Sequence, residues 1–162
     1  MPFVAIMANG KVEDVQAAVA LAEQIAKKHN VFAQLVDARV VFNERHLASA
    51  HLHAKRALEQ QRDSAHSPGA EFLLYLTGQR QVSRAIELGG IKQDAERAIL
   101  VADGERAGTV IWSILDKLAW SRDPKGIPEN RDALAAIGIP LPPDGALEDA
   151  VLEKVALVDV IK

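Results

Sequence analysis

A chain of 162 residues, 49% hydrophobic and 25% charged, has room for one domain (1–162) with a proper core, and with only 4% aromatics the filling falls to aliphatic side chains and alanine. The absence of cysteine excludes a disulfide framework, a thiol nucleophile and any cysteine-ligated zinc or iron–sulfur site, and it suits a cytoplasmic setting. A net charge of −3 argues against a general nucleic-acid coat, but the acidic excess lies wholly in residues 107–162 and leaves the middle of the chain balanced.

The opening MPFVAIMANGK has a short apolar run with no basic segment before it, unlike a secretory leader, and no apolar stretch is long enough to span a membrane. Within it, FVAIMA (3–8) reads as a buried strand. Val12, Val15, Ala18, Val19, Ala22, Ile25 and Ala26 follow helical spacing, which predicts a helix from about Val12 to Lys28. Lys27 and Lys28 suit its C-terminal dipole, and Asn30 can end it. VFAQLVDARVVF (31–42) is β-branched and aromatic, and predicts one strand or two broken near Asp37.

Asn43 is a good N-cap for a helix reaching about Arg62, with Leu47, Ala50, Ala54, Ala57 and Leu58 on one face. DSAHSPG (63–69) reads as a loop. EFLLYL (71–76) predicts a strand, followed by a turn at Thr77-Gly78 and a helix from about Gln79 to Leu88 with Val82, Ala85 and Ile86 inward. RAILVAD (97–103) predicts another strand. Thr109–Trp120 is a helix with apolar residues on most sides. SRDPKGIPEN is a linker, a short helix lies near 131–137, and GIPLPPDG is extended. The last helix runs from about Ala146 to Val160, with an apolar stripe at Leu147, Val151, Val155 and Val158 and an acidic rim at Glu148 and Asp149. These elements predict an α+β fold: one small sheet of about three to five short strands flanked by several helices.

No catalytic constellation emerges. His46, His51 and His53 share a helix, but His46 and His53 lie roughly 10 Å apart along its axis, too far for one metal ion. They read as polar, half-buried helix positions. ADGERAGT (102–109) lacks the Gly-Lys-Ser/Thr ending of a phosphate loop, and no serine sits in a nucleophile elbow. No metal, cofactor or catalytic residue is assigned. Trp112 and Trp120 fit either a central buried helix or a docking flank.

The junction after EFLLYL is the clearest signal. Unpaired amides at the start of a helix favour an anion, and Gly78 allows close approach to the main chain. Arg80 offers a planar fork suited to phosphate, Gln81 both donates and accepts, and Arg84 follows one turn later. Read from residues alone, the junction is either a phosphate or nucleic-acid site or a capped turn with two solvated arginines.

The stretch EFLLYLTGQRQVSRAIELGGI also resembles the signature of the PRPK-binding protein (TPRKB-like) family. The likeness lies in Glu71, Leu73-Leu74-Tyr75-Leu76, Gly78, Arg80-Gln81, Ala85-Ile86 and Gly90-Ile91. Upstream, VDARVVFNERHLASAHLHAKRAL is similar to the family's strand and its helix bearing His46-Leu47, and VLEKVALVDVI to its closing helix. The Gly-x-Arg-Gln form resembles archaeal members, and Thr77 stands where serine or alanine is usual.

The resemblance implies a non-catalytic subunit of the KEOPS complex, which places a threonylcarbamoyl group on tRNA. It implies docking on the kinase-like ATPase subunit, indirect association with the threonylcarbamoyl-transferase subunit, and a hold on the tRNA 3′ CCA end. Thr77, Gly78, Arg80, Gln81 and Arg84 are then the candidate tRNA-binding residues, with Lys55 extending the basic track and Arg62 a weaker addition. The alternatives are a regulatory domain that binds a small anionic metabolite at the junction, and an unrecognised enzyme.

Overall fold

Short, nearly continuous apolar runs build the sheet. In the computed structural model, which describes residues 3–161, β1 (Phe3–Asn9), β2 (Phe32–Val36), β3 (Arg97–Asp103) and β4 (Ser121–Arg122) form one open antiparallel sheet in the order β2-β3-β1-β4. Met1 and Pro2, part of the segment read for a leader, lie outside the described residues. β1 and β3 pair along their whole length, from Phe3 opposite Asp103 to Asn9 opposite Arg97. Ile6, Ala8, Leu35, Ala98, Leu100 and Ala102 share one face, two residues apart along each strand, and pack with α1 (Val15–Lys28) and α5 (Ala107–Leu118). Asp14 starts α1 by accepting the Ala17 amide at 3.1 Å, and Ala18, Ala22 and Ile25 are its buried stripe. The fold is α+β, with four strands and seven α-helices among the described residues.

The chain divides into two compact units, each assembled from two segments: residues 1–38 with 91–127, and residues 39–90 with 128–162. The sheet, α1 and α5 belong to the first. The second holds α2 (Glu44–Glu59), α3 (Pro68–Thr77), α4 (Val82–Gly89), α6 (Ala133–Ala136) and α7 (Leu147–Ile161). Asn43 caps α2 by accepting the His46 amide at 2.9 Å. Val151, Val155 and Val158 of α7 are fully buried, on the stripe their spacing predicts, with Leu147 half-buried at its start.

Several expectations need correction. EFLLYL is helix α3, not a strand. Ser67 accepts the Ala70 amide at 3.2 Å, Pro68 opens the first turn, and Gly78 ends the helix in the left-handed region. Residues 71–77 are all buried, so α3 has no polar stripe and its sequence lacks the helical period. After β2 the chain makes a 3₁₀ turn, Ala38–Val40, instead of a second strand. α4 starts later than expected, and Ile86 points outward. α5 ends at Leu118, so the two tryptophans part company. Trp120 is buried beyond the helix, donating to the Lys11 carbonyl at 3.1 Å, whereas Trp112 is 66% exposed.

Candidate nucleic-acid interface

Because α3 is a helix, the junction brings together the C-terminus of one helix and the N-terminus of the next. Two opposite poles meet there, and they are treated differently. Gly78 adopts φ 65°, ψ 28°. Its amide turns back to the Tyr75 carbonyl at 3.3 Å, and the Gln79 amide to Leu74 at 3.1 Å. The Leu73 carbonyl accepts from Thr77 Oγ1 at 2.7 Å, Leu76 from His46 Nε2 at 2.8 Å, and Thr77 from Gln79 Nε2 at 3.1 Å. Every carbonyl from Leu73 to Thr77 has a donor, so the negative pole of α3 is well covered.

The positive pole of α4 is not. Gln81 is the N-cap residue, but its side chain caps no amide. Arg80, immediately before it, is exposed, and its guanidinium has no hydrogen bond or ion pair among the described residues. The turn therefore carries uncapped amides and an unpaired cation, with the competing carbonyls occupied. That combination is suited to an anion.

His46 anchors this arrangement from below. It is fully buried, so the expectation of a half-buried polar position fails. Its Nδ1 accepts the Phe42 amide at 3.0 Å, so the proton must sit on Nε2, which donates to Leu76. Burial drives its pKa down to about 4, and the bond to the Leu76 carbonyl offsets only part of that. His46 is thus a neutral strut. His51 tilts against Phe72 with ring centroids 6.4 Å apart.

His53 belongs to a second polar group. Its Nδ1 lies 2.8 Å from Asp159 Oδ2, and its ring stacks on Tyr75 at 5.7 Å. The Tyr75 hydroxyl donates to Asp159 Oδ1, as does Arg62 at 3.3 Å. Burial would raise the Asp159 carboxyl, but bonds from Tyr75, His53 and Arg62 outweigh it and hold the group below the usual carboxylate range. Burial, followed by the bond to Asp159, pushes Tyr75 upward. These contacts fasten α7 to α2 and α3.

The candidate residues separate accordingly. Thr77, Gly78, Arg80 and Gln81 fall in one turn, although the Thr77 side chain is buried and committed to Leu73. Arg84 lies in the first turn of α4, with one guanidinium nitrogen 2.7 Å from Glu87. Lys55 stands apart, half-buried on α2, nine residues and roughly 14 Å along the axis from the His46 strut. Arg62 lies beyond the end of α2 and is engaged with Asp159. One residue that the sequence reading overlooked approaches the turn. A Cβ built on Gly78 would lie 2.4, 2.6 and 2.9 Å from Cγ, Cε and Cδ of Lys154, on α7. No local pattern announces this contact, because 76 positions separate the two residues.

Residues 12–119 match the family described as kinase binding protein CGI-121, a span that takes in β2, β3, α1 to α5 and the whole junction. The chain belongs to this family of kinase-binding proteins. No curated protein matches it. No helix among the described residues is long and apolar enough to cross a membrane.

Proposed function

We propose that residues 1–162 act as one non-catalytic accessory subunit of the KEOPS complex in tRNA threonylcarbamoyladenosine synthesis. In this reading the subunit docks on the kinase-like ATPase, reaches the threonylcarbamoyl-transferase indirectly and works in the cytoplasm. Its junction holds the 3′ CCA end of tRNA. The observation that carries the RNA reading is the asymmetry of the turn: covered carbonyls on α3, uncapped amides on α4 and an unpaired Arg80. Terminal phosphates and unstacked bases call for amide donors, a planar cation and an amide side chain, here Arg80 and Gln81. Membership of a kinase-binding family supports the docking half. So does the far end of α7, where Leu157, Val160 and Ile161 are 44%, 76% and 43% exposed.

The test is titration of intact tRNA against tRNA lacking its CCA end. The reading requires a clear loss on truncation. Binding that ignores the tail, together with thermal stabilisation by a small anionic metabolite, would instead favour a metabolite-sensing domain. ATP or transferase turnover that scales with the concentration of extensively repurified protein would refute the non-catalytic assignment.

A further inference from the structure

Lys154 reaches the junction from a different part of the chain. Its aliphatic stem runs across the bare α-carbon of Gly78, with Cγ, Cδ and Cε all inside the space a methyl group would need. Cε is one of the close atoms, so the ammonium, one bond further on, also stays at the turn. Lysine stems that lie along a protein surface in this way characteristically keep the charged head in water. The residue, half-buried overall, also lines a groove of about 330 Å³ between residues 138–143 and α7.

Lys154 has no ion pair or hydrogen bond among the described residues. Along α7, positions 150, 151, 157 and 158 are all apolar, so no acid lies three or four residues away to neutralise it. By contrast Arg45, Arg62 and Arg84 of the same unit each have an acidic partner. Two unpaired cations therefore meet at one glycine: Arg80 two residues along the chain, and Lys154 laid over it. Each can add a charge-assisted contact to an anion bound at this turn.

We infer that Lys154 is a second phosphate-binding residue of the junction, contacting the sugar-phosphate backbone of the same RNA end that Arg80 engages. This rests on the tRNA reading proposed above. Gly78 has a double role in it: it supplies the left-handed turn, and it gives the lysine stem a place to lie. Lys154 falls beyond residue 119, where the family match ends, so it adds an element outside the matched span.

The experiment titrates a single-stranded RNA ending in CCA against wild type, Arg80→Ala, Lys154→Met and Lys154→Arg, each across a range of salt. Methionine keeps a stem of similar shape over Gly78 and removes only the charge, and thermal melts verify that all variants stay folded. Lys154→Met is expected to bind on the order of threefold to tenfold more weakly, with the slope of log affinity against log salt reduced by about 0.7, the value of one single-strand phosphate contact. Lys154→Arg should recover most of the affinity. If Arg80→Ala weakens binding while Lys154→Met matches wild type in affinity and slope, this inference is wrong and the tRNA reading stands. If neither variant is impaired, the tRNA reading falls, and this inference with it. Melts in inorganic phosphate and in chloride at equal ionic strength separate RNA from a free anion. Stabilisation by phosphate that needs Lys154, alongside unchanged RNA binding, would overturn the RNA assignment.

Discussion

His46 and Leu76 are joined by a buried 2.8 Å hydrogen bond in which the imidazole Nε2–H donates to a carbonyl of the last turn of α3. The other ring nitrogen already accepts the Phe42 amide, so a second proton would point at another N–H group. The ring is fixed in one tautomer, and through it the start of α2 is tied to the turn at Gly78.

Acid should loosen this tie. The folded-state pKa of His46 is about 4, against 6.5 for an ordinary histidine. Between those values the unfolded chain holds a proton that the folded chain does not, so stability rises with pH across that window and is lost on acidification. The full effect is on the order of 3 kcal/mol. His46→Gln should flatten this part of the pH dependence. Urea unfolding midpoints at pH 4.5 and 7 for the two proteins check it: equal differences between the two pH values would remove the assigned role.

Arg80→Ala should weaken tRNA binding without unfolding the protein. The side chain is exposed, so its loss leaves no cavity, and stability should stay within about 0.5 kcal/mol of wild type. A charge-assisted bond to phosphate is worth roughly 1.5–3 kcal/mol, which predicts about a tenfold loss or more. Arg80→Lys should recover only part, since it lacks the planar fork. The defect should shrink on tRNA without its CCA end. Unchanged affinity for intact tRNA together with an unchanged melt would reduce the junction to a plain turn.

Gly78→Ala should do the reverse and damage both properties. The left-handed backbone costs a residue with a Cβ roughly 1–2 kcal/mol, and the new methyl would collide with the Lys154 stem. The melting temperature and RNA affinity should fall together. A variant that melts like wild type would contradict the packing described for Gly78.

Glu148 and Asp149, adjacent in the acidic first turn of α7, should behave differently on charge reversal. Glu148 accepts from Asn43 at 2.8 Å and pairs with Arg45 at 3.3 Å, whereas Asp149 is exposed. Glu148→Lys should destabilise by about 1 kcal/mol through the loss of a partner for the α2 cap. Asp149→Lys should leave stability unchanged but slow association with the kinase-like partner, more at low salt than at high salt. Rates that are equal at both salt levels would remove Asp149 from the docking surface.

Elements with a strong local signal were legible from the sequence. β3 follows from its short continuous apolar run, and α1, the Asn43 cap and the stripe of α7 from helical spacing and capping chemistry. α3 was not legible, because burial on every side erased its period. The signals that would have named it, Ser67, Pro68 and Gly78, looked like loop and turn residues. The junction could be located by its glycine and arginines, but its polarity depended on whether a strand or a helix led into it. The strut role of His46 and the approach of Lys154 were not legible for another reason. Each acts on a residue 30 or more positions away, which no local pattern encodes.

The interleaving of the two units carries a consequence for biosynthesis. Residues 39–90 emerge from the ribosome before residues 91–127, yet their own unit stays incomplete until 128–162 follow. The sheet-bearing unit, made of residues 1–38 and 91–127, can close while α2, α3 and α4 still lack α7. Until Val151, Val155 and Val158 arrive, the nascent chain must carry an unsealed apolar surface, and Gly78 has no lysine stem above it. The junction is thus among the last features of the molecule to be finished.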